Sequence, residues 1–180
     1  TFSFWIHIAN YKFQFESIEK ALEEIFKNQD WLSQVIFSAQ HVNETKDSVF
    51  SFFSEAKNLE KITPDFLNFH ILNKSTENIE KVTLIDYSLK LHGIKIKWKT
   101  LISQWTPKQV FVDEQLRGPY KKWHHTHEFF DAKQGTLMID RVIFKIPLGV
   151  LGIVTLPWVK KDVHTIFEYR KKIIGEIFNK

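Results

Sequence analysis

The chain of 180 residues predicts an α+β fold in which a curved antiparallel sheet wraps around a long C-terminal helix. Three observations carry that expectation. Residues 81–146 read as successive strands joined by short turns, residues 158–178 carry one apolar stripe at helical spacing, and only one short helical pattern interrupts the earlier strands. A sheet with one apolar face and a helix with one apolar stripe bury both most economically when the sheet curls over the helix. Such packing leaves room for a ligand between them.

Taken in order, residues 1–30 form an appendage. Phe2, Phe4, Ile6 and Ile8 alternate as in a strand, and "SIEKALEEIFKN" (17–28) places Ile18, Leu22, Ile25 and Phe26 on one helical face behind Ser17 as N-cap. Residues 31–180 form the main domain. "WLSQVIFSAQHV" is β-rich, and "NETKDSVFSFFSEAKNLEKITP" reads as one short helix with Val49, Phe50, Phe52 and Phe53 inward, stopping before Pro64. "FLNFHILN" (66–73) is a strand. In "KVTLIDYSLKLHG" (81–93), Ile85, Tyr87, Leu89 and Leu91 alternate with polar residues. In the next strand Ile94, Ile96, Trp98, Thr100 and Ile102 oppose Lys95, Lys97 and Lys99. "QVFVDEQL" (109–116) and "KKWHHTHEFF" (121–130) form a hairpin about "RGPY", and "DAKQG" turns the chain into "TLMIDRVIFKI" (136–146). In the final helix Val159, Val163, Ile166, Phe167, Arg170, Ile173, Ile174 and Ile177 share a face; Arg170 is its one polar member.

Composition narrows the function. With 43% hydrophobic and 15% aromatic residues the chain builds a substantial core, and without cysteine it has no disulfide, thiolate nucleophile or Cys-based metal centre. The net charge of +4 is spread over lysines interleaved with acidic residues, and the only arginines are Arg117, Arg141 and Arg170, so no nucleic-acid-binding stripe is expected. No apolar run reaches bilayer length, and the aromatic N-terminus lacks the basic region and cleavage site of a signal peptide. A cytoplasmic protein is the expectation. No G-x-S-x-G elbow, G-x-G-x-x-G or P-loop pattern is present, and no cofactor is expected.

"SVFSFFSEAKNLEKITP", "TLIDYSLKLHGIKIKWKTLI", "FVDEQLRGPYKKWHHTHEF" and "MIDRVIFKIPLGVLG" resemble, in order and spacing, the SRPBCC ligand-binding domains of the START/Bet v 1-like superfamily, in a bacterial subgroup labelled polyketide cyclase/dehydrase. The resemblance covers residues 31–179. It implies a helix-grip fold with a hydrophobic cavity under the C-terminal helix, and it implies little about chemistry, because the superfamily includes carriers, receptors and cyclases.

Three of the eight histidines fall within residues 124–127. Strand alternation puts Trp123, His125, His127 and Phe129 on one face and His124 with Glu128 on the other, so the triplet reduces to an inward pair. Met138, Asp140, Val142 and Phe144 share the inward parity of the next strand, which sets Asp140 opposite His125 or His127. On the other flank Asp113 and Gln115 reach His125 only if their parity is inward, and Val110, Val112 and Leu116 argue against it. The reading that asks least is a buried His–Asp hydrogen-bond network. The others are an acid–base pair, as a cyclase or dehydratase would use, and a metal site. No metal is expected, since no H-E-x-x-H or second His pair supplies the missing ligands.

The expected function is therefore binding of a hydrophobic small molecule (lipid, quinone or polyketide-like), with Tyr87, Trp98, Trp123, Phe129, Met138 and Phe144 as walls and His125, His127 and Asp140 as polar anchors. Its alternatives are an enzyme using His125 with Asp140 or Asp113, and an interaction module with a vestigial cavity. "PLGVLGIVTLPW" (147–158) is apolar enough to cap the cavity mouth, touch a membrane or meet a protein, and residues 1–30 are candidates for a homo-oligomer contact.

Overall fold

The computed structural model describes residues 32–178 together with Glu16, Glu19, Lys20 and Glu23, which are helical. The remaining expectations for residues 1–30, including an oligomer contact, lie outside the described residues. Among the described residues seven antiparallel strands form one sheet: β1 (Gln34–Val42), β2 (His70–Lys74), β3 (Leu84–Leu91), β4 (Ile94–Thr106), β5 (Val110–Arg117), β6 (Lys122–Ala132) and β7 (Gly135–Lys145). Their order is β1-β7-β6-β5-β4-β3-β2, so five consecutive hairpin steps build most of the sheet and β1 closes on β7.

Between β1 and β2 the expected single helix is two, α1 (Lys46–Ser54) and α2 (Ala56–Lys61). Thr45 caps α1 by accepting from the Ser48 amide at 3.2 Å. The break falls at Glu55, whose backbone is extended; the Phe52 carbonyl accepts there from the Glu55 amide at 3.4 Å and from Asn58 Nδ2 at 2.8 Å. Two short helices let both Phe50 and Ile62 reach the same core. A 3-10 turn, Asp65–Leu67, ends at Asn68 in the left-handed region and delays β2 to His70, later than the sequence suggests. The C-terminal helix α3 (Leu156–Phe178) begins two residues before the expected start, behind a 3-10 stretch, Gly149–Thr155. Pro157 lies in its first turn, where a missing N–H costs no hydrogen bond.

Two packed cores hold α3 against the concave sheet. Ile174 joins Val42, Val49, Phe50, Phe111, Phe129 and Met138 in one. Val163 and Phe167 join Val142, Phe144 and Ile146 in the other. The expectation of one apolar sheet face holds for β3 and β4 but not for β7, where the outward Leu137, Ile139 and Ile143 are as buried as the inward residues. Among the described residues no helix is long and apolar enough to cross a membrane.

Phe144 has no exposed surface, whereas Leu151 is 80% exposed. Phe144→Ala is expected to lower unfolding free energy by about 3–5 kcal/mol, and Leu151→Ala by less than about 0.5 kcal/mol. Urea denaturation of the two variants measures the contrast.

Candidate functional site

The centre of the site is set by strand register. On β6, His125 stands opposite Asp113 of β5, and His127 stands opposite Asp140 of β7. Each histidine is also the diagonal neighbour of the other strand's carboxylate, within reach of a long side chain. The four groups therefore close a ring. His125 Nε2 hydrogen-bonds Asp140 Oδ1 at 3.1 Å, and His127 Nε2 hydrogen-bonds Asp113 Oδ2 at 3.1 Å. The remaining close approaches are His125 Nδ1 to Asp113 Oδ2 at 3.3 Å and His127 Nδ1 to Asp140 Oδ1 at 2.7 Å. The latter lies off the N–H direction, so His127 Nδ1 makes no hydrogen bond. The two imidazoles lie with centroids 3.8 Å apart, and His127 stacks on Phe111 at 4.1 Å.

Asp113 thus faces inward, although the β5 sequence gave two apolar parities. Phe111 and Val112 are both buried, so alternation alone could not choose between them. Gln115, the other residue expected near His125, does not reach it. Its Nε2 donates to the Tyr120 carbonyl at 2.6 Å and its Oε1 accepts from the Tyr120 amide at 3.2 Å, closing the turn between β5 and β6. A Cβ at position 118 would lie 2.3 Å from Gln115 Oε1, so this lock needs Gly118. The "DEQ…GPY" motif is in this way one carboxylate for the cluster and one clamp for the turn.

Electrostatics follow the geometry. Burial alone would raise both carboxyls, but the adjacent histidines outweigh it and hold Asp113 and Asp140 well below the usual carboxylate range. For His125, burial opposes the charged form, and Asp113 and Asp140 overcome it and push the ring's affinity for a proton up. Burial, with the Asp113 charge behind it, pushes the Tyr87 phenol up, so it stays a neutral donor.

Around this cluster lies a cavity of about 180 Å³ between the sheet and α3. Of the residues expected to bind ligand, Tyr87, Trp98, Trp123, His125 and His127 line it. Phe129, Met138 and Phe144 do not: they are packed into the two cores beside it. Asp140 sits behind the histidines, away from the cavity surface. Tyr87 stacks on Trp98 with centroids 5.7 Å apart, and Trp98 Nε1 donates to Thr100 Oγ1 at 3.1 Å, so an indole is fixed in the wall with its polar edge satisfied. Trp123 and Tyr120 close the same aromatic corner at 4.8 Å.

The sequence reading missed Arg170 as a cavity residue. It lines the wall from α3, its guanidinium carbon lies 5.3 Å from the Phe167 ring centroid, and its Nε is buried without a hydrogen bond. A lone arginine within an apolar helical stripe was the available signal. Phe53, Phe111 and Phe167 complete the wall and carried no signal beyond ordinary core aromatics.

A curved antiparallel sheet gripping a C-terminal helix over an internal cavity is the helix-grip, Bet v 1-like fold of SRPBCC proteins, and this chain has it. No protein-family model and no curated protein matches the chain. Among solved structures it is similar to the di-domain ARO/CYC StfQ from the steffimycin biosynthetic pathway (12% identity, TM-score 0.69, 87% of this chain and 54% of that one). It is also similar to the Zhui aromatase/cyclase from Streptomyces sp. R1128 (14% identity, TM-score 0.64, 80% of this chain and 93% of that one). A third likeness is to ginseng major latex-like protein 151 from Panax ginseng (11% identity, TM-score 0.59, 82% of this chain and 98% of that one). The chain spans about half of StfQ.

Removing Asp140 leaves two buried imidazoles with one carboxylate between them. Asp140→Ala is expected to destabilise the fold by about 3–5 kcal/mol, read as a lowered urea midpoint.

Proposed function

We propose that the protein binds a compact ring compound carrying one acidic or carbonyl oxygen, with the ring against Trp98 and Trp123 and the oxygen toward Arg170. The observation that carries this reading is an aromatic cavity holding a buried arginine Nε with no hydrogen bond. Ligand sites for drug-sized molecules run to ~300–1,000 Å³, so a volume of about 180 Å³ favours a quinone-sized ring over a long acyl chain or an extended polyketide. Structural likeness to aromatase/cyclases and to a latex-like protein supports a cavity of this kind without choosing the compound.

Native mass spectrometry of gently purified protein, followed by denaturing extraction, tests what it retains. A co-purifying aromatic compound is the expected result. Titration with 1,4-naphthoquinone is expected to quench tryptophan emission saturably. Losing a charged hydrogen bond worth ~1.5–3 kcal/mol weakens binding about tenfold or more, the expected effect of Arg170→Met. Equal affinity in Arg170→Met and in Trp98→Ala would overturn the reading. A cyclase or dehydratase would instead convert its compound, and lose that turnover in His125→Ala.

The stretch before α3 supplies a second element of function. Leu148, Leu151, Val154 and Trp158 are all more than 60% exposed, and Lys160 and Lys161 are exposed beside them. Asp162, Val163 and Ile166 of the same helix line the cavity. Exposed aliphatic and indole groups flanked by lysines suit the surface of an anionic bilayer, where a buried Leu contributes ~1.5–3 kcal/mol and a lysine about 1 kcal/mol. This turn is proposed to touch membranes and collect apolar ligand there. Sedimentation with phosphatidylserine-containing vesicles is expected to carry down the wild type and to leave Leu151→Asp/Val154→Asp in solution. Equal sedimentation of the two would remove the membrane contact.

A further inference from the structure

We propose that Asp113, His125 and His127 bind one divalent first-row transition-metal ion, such as Zn(II) or Fe(II), with an open coordination position facing the cavity. The sequence pattern offers Asp140 as a third ligand, and Asp113 only if its parity faces inward; Asp140 lies behind the histidines. The structure supplies Asp113 instead. Its Oδ2 lies 3.3 Å from His125 Nδ1 and 3.1 Å from His127 Nε2, and the three ligand atoms lie within 4.8 Å of one another. Bonds of ~2.0–2.2 Å at tetrahedral angles set neighbouring ligand atoms about 3.3 Å apart, so small side-chain shifts suffice to admit an ion.

The division of labour among the ring nitrogens points the same way. His125 turns Nδ1 toward Asp113 and Nε2 toward Asp140, and His127 turns Nε2 toward Asp113 and Nδ1 toward Asp140. Asp113, His125 and His127 line the cavity, and Asp140 does not. One nitrogen of each ring is thus turned to Asp113, where an ion would replace the present contact, while the Asp140 carboxylate faces the other. Ligating histidines are commonly oriented by such an outer carboxylate.

A divalent ion held by Asp113 and the two rings would also offset the negative charge that Asp113 and Asp140 bring into the interior. Imidazole and carboxylate together suit zinc, iron, cobalt or nickel, and two histidines with one carboxylate leave positions open for water or a substrate oxygen.

The test is a titration of chelator-treated full-length protein with Co(II) and with Zn(II), without any organic ligand. The expected result is one equivalent of Co(II) with the visible absorption of a four- or five-coordinate ion, displaced by Zn(II). His125→Gln/His127→Gln and Asp113→Asn are expected to lose that equivalent, with far-UV circular dichroism confirming the fold. Asp140→Asn is expected to weaken it ~10–100-fold. Should the ligand variants not fold, ¹⁵N imidazole shifts of the wild type decide the matter: Zn(II) should bind Nδ1 of His125 and Nε2 of His127. Absence of saturable Co(II) binding, binding that survives in the double histidine variant, or Zn(II) shifts confined to other histidines would each overturn the proposal. The proposal goes beyond the ring-compound reading, and because metal alone is titrated, either can fail without the other.

Discussion

Two carboxylates removed from water, Asp113 on β5 and Asp140 on β7, flank β6 and set the strictest constraint on this molecule. A buried charge without a partner is costly, and a well-surrounded one is roughly neutral, so Asp113 and Asp140 fix what must lie between them. The histidines of β6 meet that requirement by register: each is opposite one carboxylate and diagonal to the other. Slipping β6 by one residue would turn both imidazoles outward and put His124, Thr126 and Glu128 on the inner face in their place, with Glu128 adding a third carboxylate. Electrostatics and hydrophobic alternation therefore specify the same pairing at the middle of the sheet.

The cavity survives because packing is concentrated on either side of it. Ile174 anchors one part of α3 and Val163 with Phe167 another, and Ile166 and Arg170 of the same helix face the cavity. On the opposite wall the aromatic side chains are locked rather than merely packed. Thr100 takes the Trp98 indole N–H, and Gln115 grips the backbone of Tyr120 from both directions. Rigid walls of this kind reduce the ordering cost of binding, which is where affinity in small sites is most easily lost.

Much of this was legible in the chain. The clean alternation of Ile94 to Ile102 against lysines, and the helical stripe from Val159 to Ile177, were enough for the sheet and the helix that it grips. The inward pairing of His125 with His127 followed from the same period of two, and Asp140 from the parity of β7. Asp113 was less accessible, because β5 is buried on both faces there and the alternation that would reveal parity is absent. Phe129, Met138 and Phe144 illustrate the converse limit. Strand parity says which face a side chain occupies, but not whether helix or cavity lies above it, since that depends on how α1 and α3 cross the sheet. Arg170 was visible as an anomaly in its stripe and was explicable as a snorkelling side chain until its Nε proved to be buried.

The site's polarity is arranged in depth, and this constrains chemistry more than the fold does. The walls are largely aromatic, and Arg170 and the Asp113–His125–His127 floor bring polar atoms to them. On the proposed reading, a ligand that reaches Arg170 shares its cavity with that floor. Binding and reaction would then use the same contacts, and the difference between a carrier and an enzyme on this scaffold reduces to what the floor holds: a charge-balanced, self-satisfied cluster that merely orients its ligand, or an ion with a position left for the ligand's oxygen. Four side chains on three strands carry that choice.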